Sequence, residues 1–92
     1  MKTRKLTFYA DPGHGGLEVD LLDCIDLDIA DKISRYSYAK GEKAYLEEDC
    51  DAGLFIETAK NNGWTINIKE IYQEHTPIRN YQPFQIRKLI GA

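Results

Sequence analysis

Lys5-Leu6-Thr7-Phe8-Tyr9-Ala10-Asp11-Pro12-Gly13-His14-Gly15-Gly16-Leu17-Glu18-Val19 decides the fold. Lys5 to Ala10 alternates, with Leu6 and Phe8 on one side and Thr7 and Tyr9 on the other, which predicts a strand. Asp11 to Gly16 predicts a tight loop, because proline fixes one corner and three glycines permit positive φ. Leu17-Glu18-Val19 then predicts a short second strand that pairs back on the first.

The rest of the chain adds two helices and more sheet. Asp20 is placed to cap a helix whose apolar stripe is Leu21, Leu22, Ile25 and Ile29, fraying near Leu27. Ile33 to Glu47 reads as a hairpin with Lys40-Gly41 at its turn. That turn sets Tyr38 against Lys43 and Tyr36 against Tyr45. Tyr36, Tyr38 and Tyr45 then share one face, and Ile33, Ala44 and Leu46 the other. Asp49 or Asp51 caps a second helix running to about Asn62, with Leu54, Phe55, Thr58 and Ala59 buried and Gly63 as its left-handed cap. Trp64 to Tyr72 alternates as a strand, with Ile66 and Ile68 inward. Pro77 bars a central strand, and Ile86 to Ile90 either forms a last short element or frays. The order predicts an α+β fold, an antiparallel β-sheet with two α-helices packed on one face. One small domain spans 1–92, with 76–92 as a loosely ordered tail.

Ninety-two residues of 10.6 kDa are too few for a barrel or doubly wound enzyme fold. With 42% hydrophobic and 29% charged residues the composition is that of a soluble globular domain. No apolar run is long enough for a membrane span, and the basic start is followed by too little apolar sequence for a secretory leader. The expectation is a monomer in the cytoplasm with Cys24 and Cys50 reduced.

Asp11-Pro12-Gly13-His14-Gly15-Gly16 after a strand resembles the opening motif of zinc-dependent N-acetylmuramoyl-L-alanine amidases. The resemblance implies His14 as a zinc ligand, with His75 and Asp28 or Asp31 completing a set. It covers only the loop, and no acid follows Glu74 to serve as a base. Asp26-x-Asp28-x-x-Asp31 lacks the glycine and glutamate of a calcium loop. Both cysteines sit beside aspartates, which oppose a reactive thiolate. No phosphate loop, dinucleotide fingerprint or nucleophile elbow is present. The expectation is therefore a protein that is not an enzyme, with no catalytic residue, no resident metal and no cofactor.

Charge is unevenly spread. All 15 acids lie within 11–74, where six bases accompany them, while 1–10 and 75–92 carry three bases each. Two acidic clusters, Asp20 to Asp31 and Glu47 to Asp51, suit a basic protein surface better than bare DNA. The plainer alternative is that these acids solvate helix starts and loops. Tyrosines and arginines form the second signal, since both are enriched where proteins dock and both can stack on bases. Together these point to Asp26, Asp28, Asp31, Lys32, Arg35, Tyr36, Tyr38, Glu47, Glu48, Arg79 and Tyr81 as partner-binding residues.

Four strings carry a wider resemblance: Phe8-Tyr9-Ala10-Asp11-Pro12-Gly13-His14-Gly15, Ile29-Ala30-Asp31-Lys32-Ile33-Ser34-Arg35-Tyr36-Ser37-Tyr38, Ala44-Tyr45-Leu46-Glu47-Glu48-Asp49-Cys50-Asp51 and Thr76-Pro77-Ile78-Arg79. They resemble a family of small bacteriophage- and plasmid-borne proteins. The chain's length and character also resemble phage anti-CRISPR proteins that inhibit the type I-F surveillance complex. That resemblance implies a stoichiometric inhibitor in the host cytoplasm. Its partners would be protein subunits with a basic surface, with guide-RNA contact, and target DNA would be kept from binding or pairing. A small nucleic-acid-binding regulator is the third alternative, beside the zinc hydrolase.

Overall fold

A computed structural model of the chain describes residues 2–85, with Arg79 described by its backbone alone. The fold is α+β, a six-stranded, mostly antiparallel sheet with two helices. In chain order it runs β1 (Thr3–Ala10), β2 (Gly15–Asp20), α1 (Leu21–Asp26), β3 (Tyr38–Lys40), β4 (Lys43–Glu47), α2 (Asp51–Asn61), β5 (Thr65–Tyr72) and β6 (Gln82–Pro83). Short 3-10 turns occupy Ala30–Lys32 and Pro77–Asn80. The spatial order of strands is β5-β1-β2-β4-β3-β6. β1 and β5 run parallel, α2 carrying the chain from β4 across to β5, and the other neighbours are antiparallel.

Alternation decides which face is covered. Leu6, Leu17, Val19, Ala39, Ala44 and Leu46 point to one side, where Leu21 and Cys24 of α1 and Phe55 and Ala59 of α2 close over them. Phe55 also meets the edge of Trp64, with ring centroids 6.5 Å apart. Gly15 admits this packing because the ring of Phe8 occupies the space of a side chain there. A Cβ on Gly15 would lie 2.3 Å from Phe8 Cζ.

Several local expectations change. The hairpin turn is Gly41-Glu42, not Lys40-Gly41, so Tyr38 pairs with Tyr45, Ala39 with Ala44 and Lys40 with Lys43. Gly41 has φ +61° and stands first in the two-residue loop, where the II′ kind of hairpin turn takes glycine. Residues 34–37 are a turn rather than strand, with the Ser37 N–H donating to the Ser34 carbonyl at 3.3 Å. Asp20 stands at the N-cap of α1 as expected, but neither it nor Asp49 or Asp51 caps a helix by its side chain. Asp20 accepts from Lys43 Nζ, and Cys50 takes the cap position of α2.

Asp51 is instead the first residue of α2 and is buried. Its Oδ2 accepts from Ser34 N at 3.0 Å, Ser34 Oγ at 2.6 Å and Ser37 Oγ at 2.5 Å. Ser37 Oγ in turn accepts the Glu47 N–H at 2.8 Å. One carboxylate thus ties α2, the 34–37 turn and β4 together.

Gly63, at φ +82°, follows the end of α2. Ile68, expected inward, is 46% exposed on the strand that ends the sheet, while Ile66 of the same strand packs against the core. Residues 76–85, expected to begin a loose tail, double back along the sheet and bury Ile78 and Phe84, whose N–H donates to Ser37 O at 2.8 Å. The predicted element at 86–90 lies outside the described residues. No helix among the described residues is long and apolar enough to cross a membrane.

Candidate docking face

The sheet face away from the helices carries tyrosine. Register sets Tyr9 of β1 beside Gly16 of β2, Gly16 beside Glu47 of β4, and Glu18 beside Tyr45. Tyr45 lies between two other rings, 6.5 Å from Tyr9 and 5.1 Å from Tyr81 by centroid. Its hydroxyl donates to Glu18 Oε2 at 2.9 Å. Burial first, and then that bonded carboxylate, push the Tyr45 phenol well above its ordinary range. Gly16 has no side chain, and Ile78 from the 3-10 turn settles in the space above it, 3.7 Å from where a Cβ would stand. The middle of this face is therefore covered by the chain itself.

Beside it the face stays open. A groove of about 480 Å³ is lined by the Gly13-His14-Gly15 loop, by Tyr36 and Tyr38, and by Glu47, Glu48, Asp49 and Cys50. Tyr36 is 80% exposed. Glu47 is committed to its own turn, accepting the N–H groups of Asp49 at 2.9 Å and Cys50 at 3.1 Å. Glu48 and Asp49 are exposed and form no ion pair among the described residues. The Gly13-His14-Gly15 loop is fixed by Asp11, whose Oδ1 accepts from Gly13 N at 2.9 Å and His14 N at 2.8 Å. Its Oδ2 accepts from Thr76 Oγ1 at 3.1 Å, linking the loop to the returning chain. Two tyrosine faces beside two unpaired carboxylates can hold a cationic side chain by ion pairing and by cation–π attraction.

The residues named from sequence divide. Tyr36, Tyr38, Glu47 and Glu48 come together in the groove. Tyr81 lies on the tyrosine face, with Lys40 Nζ 4.8 Å from its ring centroid, but does not line the groove. Asp26, Asp28, Asp31, Lys32 and Arg35 are exposed and lie outside it. The side chain of Arg79 lies outside the described residues.

Three of the five acids of the first cluster are paired internally, and Asp28 and Asp31 form no ion pair among the described residues. Asp20 pairs with Lys43 at 2.5 Å, Asp26 with Lys2 at 3.1 Å, and buried Asp23 with Arg4 at 2.7 Å. Arg4 forks onto Asp23 through Nε and Nη2 and lies 5.2 Å from the Trp64 ring, and the Asp23 bond raises its pKa further. Asp49 and the His14 loop complete the groove. Asp49 was visible only as one of a run of acids.

His14 and His75 are exposed, and among the described residues no three His, Cys, Asp or Glu side chains are placed to hold a metal ion. The His14, His75 and Asp28 or Asp31 set therefore does not assemble. The loop that resembled a zinc-binding motif is held by Asp11 instead. No family model, curated protein or solved structure matches this chain.

Proposed function

We propose that this chain is a binding protein that acts by occupancy, its groove receiving lysine or arginine side chains of a larger partner. The observation that carries this reading is the juxtaposition of exposed Tyr36 and half-buried Tyr38 with Glu48 and Asp49, carboxylates that form no ion pair among the described residues. A surface built to hold nucleic acid is rich in such cations. The resemblance noted from the sequence names one, the RNA-guided type I-F surveillance complex, and the chain is read as a phage-encoded inhibitor that keeps target DNA from it. Tyrosine suits the task because it supplies large contact area at little conformational cost.

The test mixes purified chain with the purified type I-F complex and measures co-elution and target-DNA binding. Stoichiometric co-elution with loss of DNA binding is expected. Tyr36→Ala and Glu48→Lys should each weaken it at least about tenfold. Absence of co-elution at micromolar concentration overturns the assigned partner. Salt-sensitive binding to bare nucleic acid, unaffected by Glu48→Lys, overturns the groove as well.

A further inference from the structure

We propose that the chain pairs with a second copy of itself, antiparallel, through the outer edge of β5. β5 ends the sheet, and among the described residues nothing pairs with its far side. Its ladder to β1 fixes which backbone groups are spent. Thr65 N–H donates to Lys2 O at 2.8 Å and Gln73 N–H to Ala10 O at 2.9 Å, so the odd-numbered residues turn inward. In a parallel ladder the alternate residues turn the other way. The N–H and C=O groups of Ile66, Ile68, Glu70 and Tyr72 therefore face outward.

Beyond charges such as Lys69 and Glu70 of β5, natural edges are usually guarded by shortness, proline or a bulge. The opposite edge is guarded in this way, since β6 is two residues long and includes Pro83. β5 spans eight residues without proline or glycine and leaves Ile68 46% and Tyr72 62% exposed.

The sequence of this edge suits its own copy. A two-fold axis normal to the sheet keeps the helix-covered faces on one side and pairs residues symmetrically about a centre. Centring on Ile68 sets Ile68 against Ile68 of the second copy, Ile66 against Glu70, and Asn67 against Lys69. No like charges oppose. Centring on Lys69 or Glu70 would place lysine on lysine or glutamate on glutamate, which is destabilising. The Ile68 centre buries the exposed isoleucine against itself and pairs the outward groups of 66, 68 and 70. The pairing is independent of the groove and departs from the monomer expected from sequence.

Sedimentation of the full chain from micromolar to millimolar concentration tests it, with a reversible monomer–dimer equilibrium expected. Ile68→Pro removes an outward N–H that β1 does not use, so the fold should persist while dimerisation weakens at least about tenfold. Lys69→Pro removes an inward N–H and should instead destabilise the monomer. In a Cys50→Ser background, Ile68→Cys should oxidise to a linked dimer, because directly opposed residues in this pairing lie within disulfide reach. Glu70→Cys should not. A chain that stays monomeric throughout, or a dimer indifferent to Ile68→Pro, overturns the proposal. Should Ile68→Pro fail to fold, cross-linking decides, and no excess of Ile68→Cys over Glu70→Cys overturns it.

Discussion

Replacing Asp51 by alanine takes away the acceptor that three donors share. Ser37 is fully buried, and its hydroxyl would lose the only carboxylate within reach among the described residues. Ser34 is half-buried, so its N–H and hydroxyl can turn partly to water. A buried donor left unsatisfied costs about 1–3 kcal/mol, and a hydrogen bond to a charged group contributes about 1.5–3 kcal/mol. Counting Ser37 in full and the Ser34 pair at a discount gives a loss of about 3 kcal/mol. A domain of this size holds about 5–14 kcal/mol in all, so the variant should fold but weakly. In urea the midpoint should fall by about 2 M at an m-value near 1.5 kcal/mol/M. Asp51→Asn keeps an acceptor while losing the charge near the start of α2, and should lose about half as much. The decisive measurement is the double mutant with Ser37→Ala. If Asp51 acts through Ser37, the loss in the double mutant must fall short of the sum of the two single losses by about 1 kcal/mol or more. Strict additivity would refute the shared-acceptor account, as would a midpoint shift below about 0.3 M for Asp51→Ala alone.

Gly15→Ala should destabilise by about 1–3 kcal/mol, since its Cβ would stand 2.3 Å from Phe8 Cζ and the ring must swing away. Phe8→Leu in the same chain should recover part of that loss in thermal melts, and a neutral Gly15→Ala would refute the close approach. Cys50 should react with a thiol reagent at once and Cys24 only on unfolding, because Cys50 is exposed and Cys24 buried. Burial first, then the charges of Asp23, Asp20 and Asp51, push the Cys24 thiol up to about 12 from 9.0. A raised folded pKa means that this contribution is whole below about pH 9. It is then lost toward pH 12, as the unfolded thiol ionises and the folded one does not, at about 1.4 kcal/mol per pH unit. By about pH 10.5 the cost is about 2 kcal/mol, and Cys24→Ala should flatten that part of the urea-midpoint profile. An unchanged slope would refute the assignment to Cys24.

Face membership was legible in the sequence because it depends only on parity. Leu6 and Phe8 against Thr7 and Tyr9, or Ala44 and Leu46 against Tyr45, are read from alternation alone, and the structure keeps every one of those sides. Register was not legible. Moving the turn from Lys40-Gly41 to Gly41-Glu42 shifts each pairing by two residues, which preserves faces and replaces Tyr36 by Tyr38 opposite Tyr45. The difference lies in which residue takes positive φ, and only Gly41 takes it without strain. The stretch 34–37 read as strand because its tyrosines and serines alternate. Its conformation is set by Asp51, 17 residues from Ser34, which no local pattern announces.

The groove was half legible for a related reason. Runs of acids show in a sequence, but which of them stay available depends on bases far along the chain. Lys2 reaches Asp26 across 24 positions, Arg4 reaches Asp23 across 19 and Lys43 reaches Asp20 across 23. Those three contacts compensate Asp20, Asp23 and Asp26 and leave only Asp28 and Asp31 of the Asp20–Asp31 cluster, which looked richer in carboxylates. Glu48 and Asp49 stay uncompensated too, and of these acids they alone stand beside the tyrosines of the groove. A surface charge near a base of opposite sign is worth little to a third party, whereas an unpaired one keeps its whole field for the partner. The same residues therefore carry different weight once folded. Asp26→Asn should release Lys2 and leave partner binding nearly unchanged, and Asp49→Asn should weaken it. A complex indifferent to Asp49 but lost with Asp26 would mean that the chain docks by its helix side and that the groove is incidental.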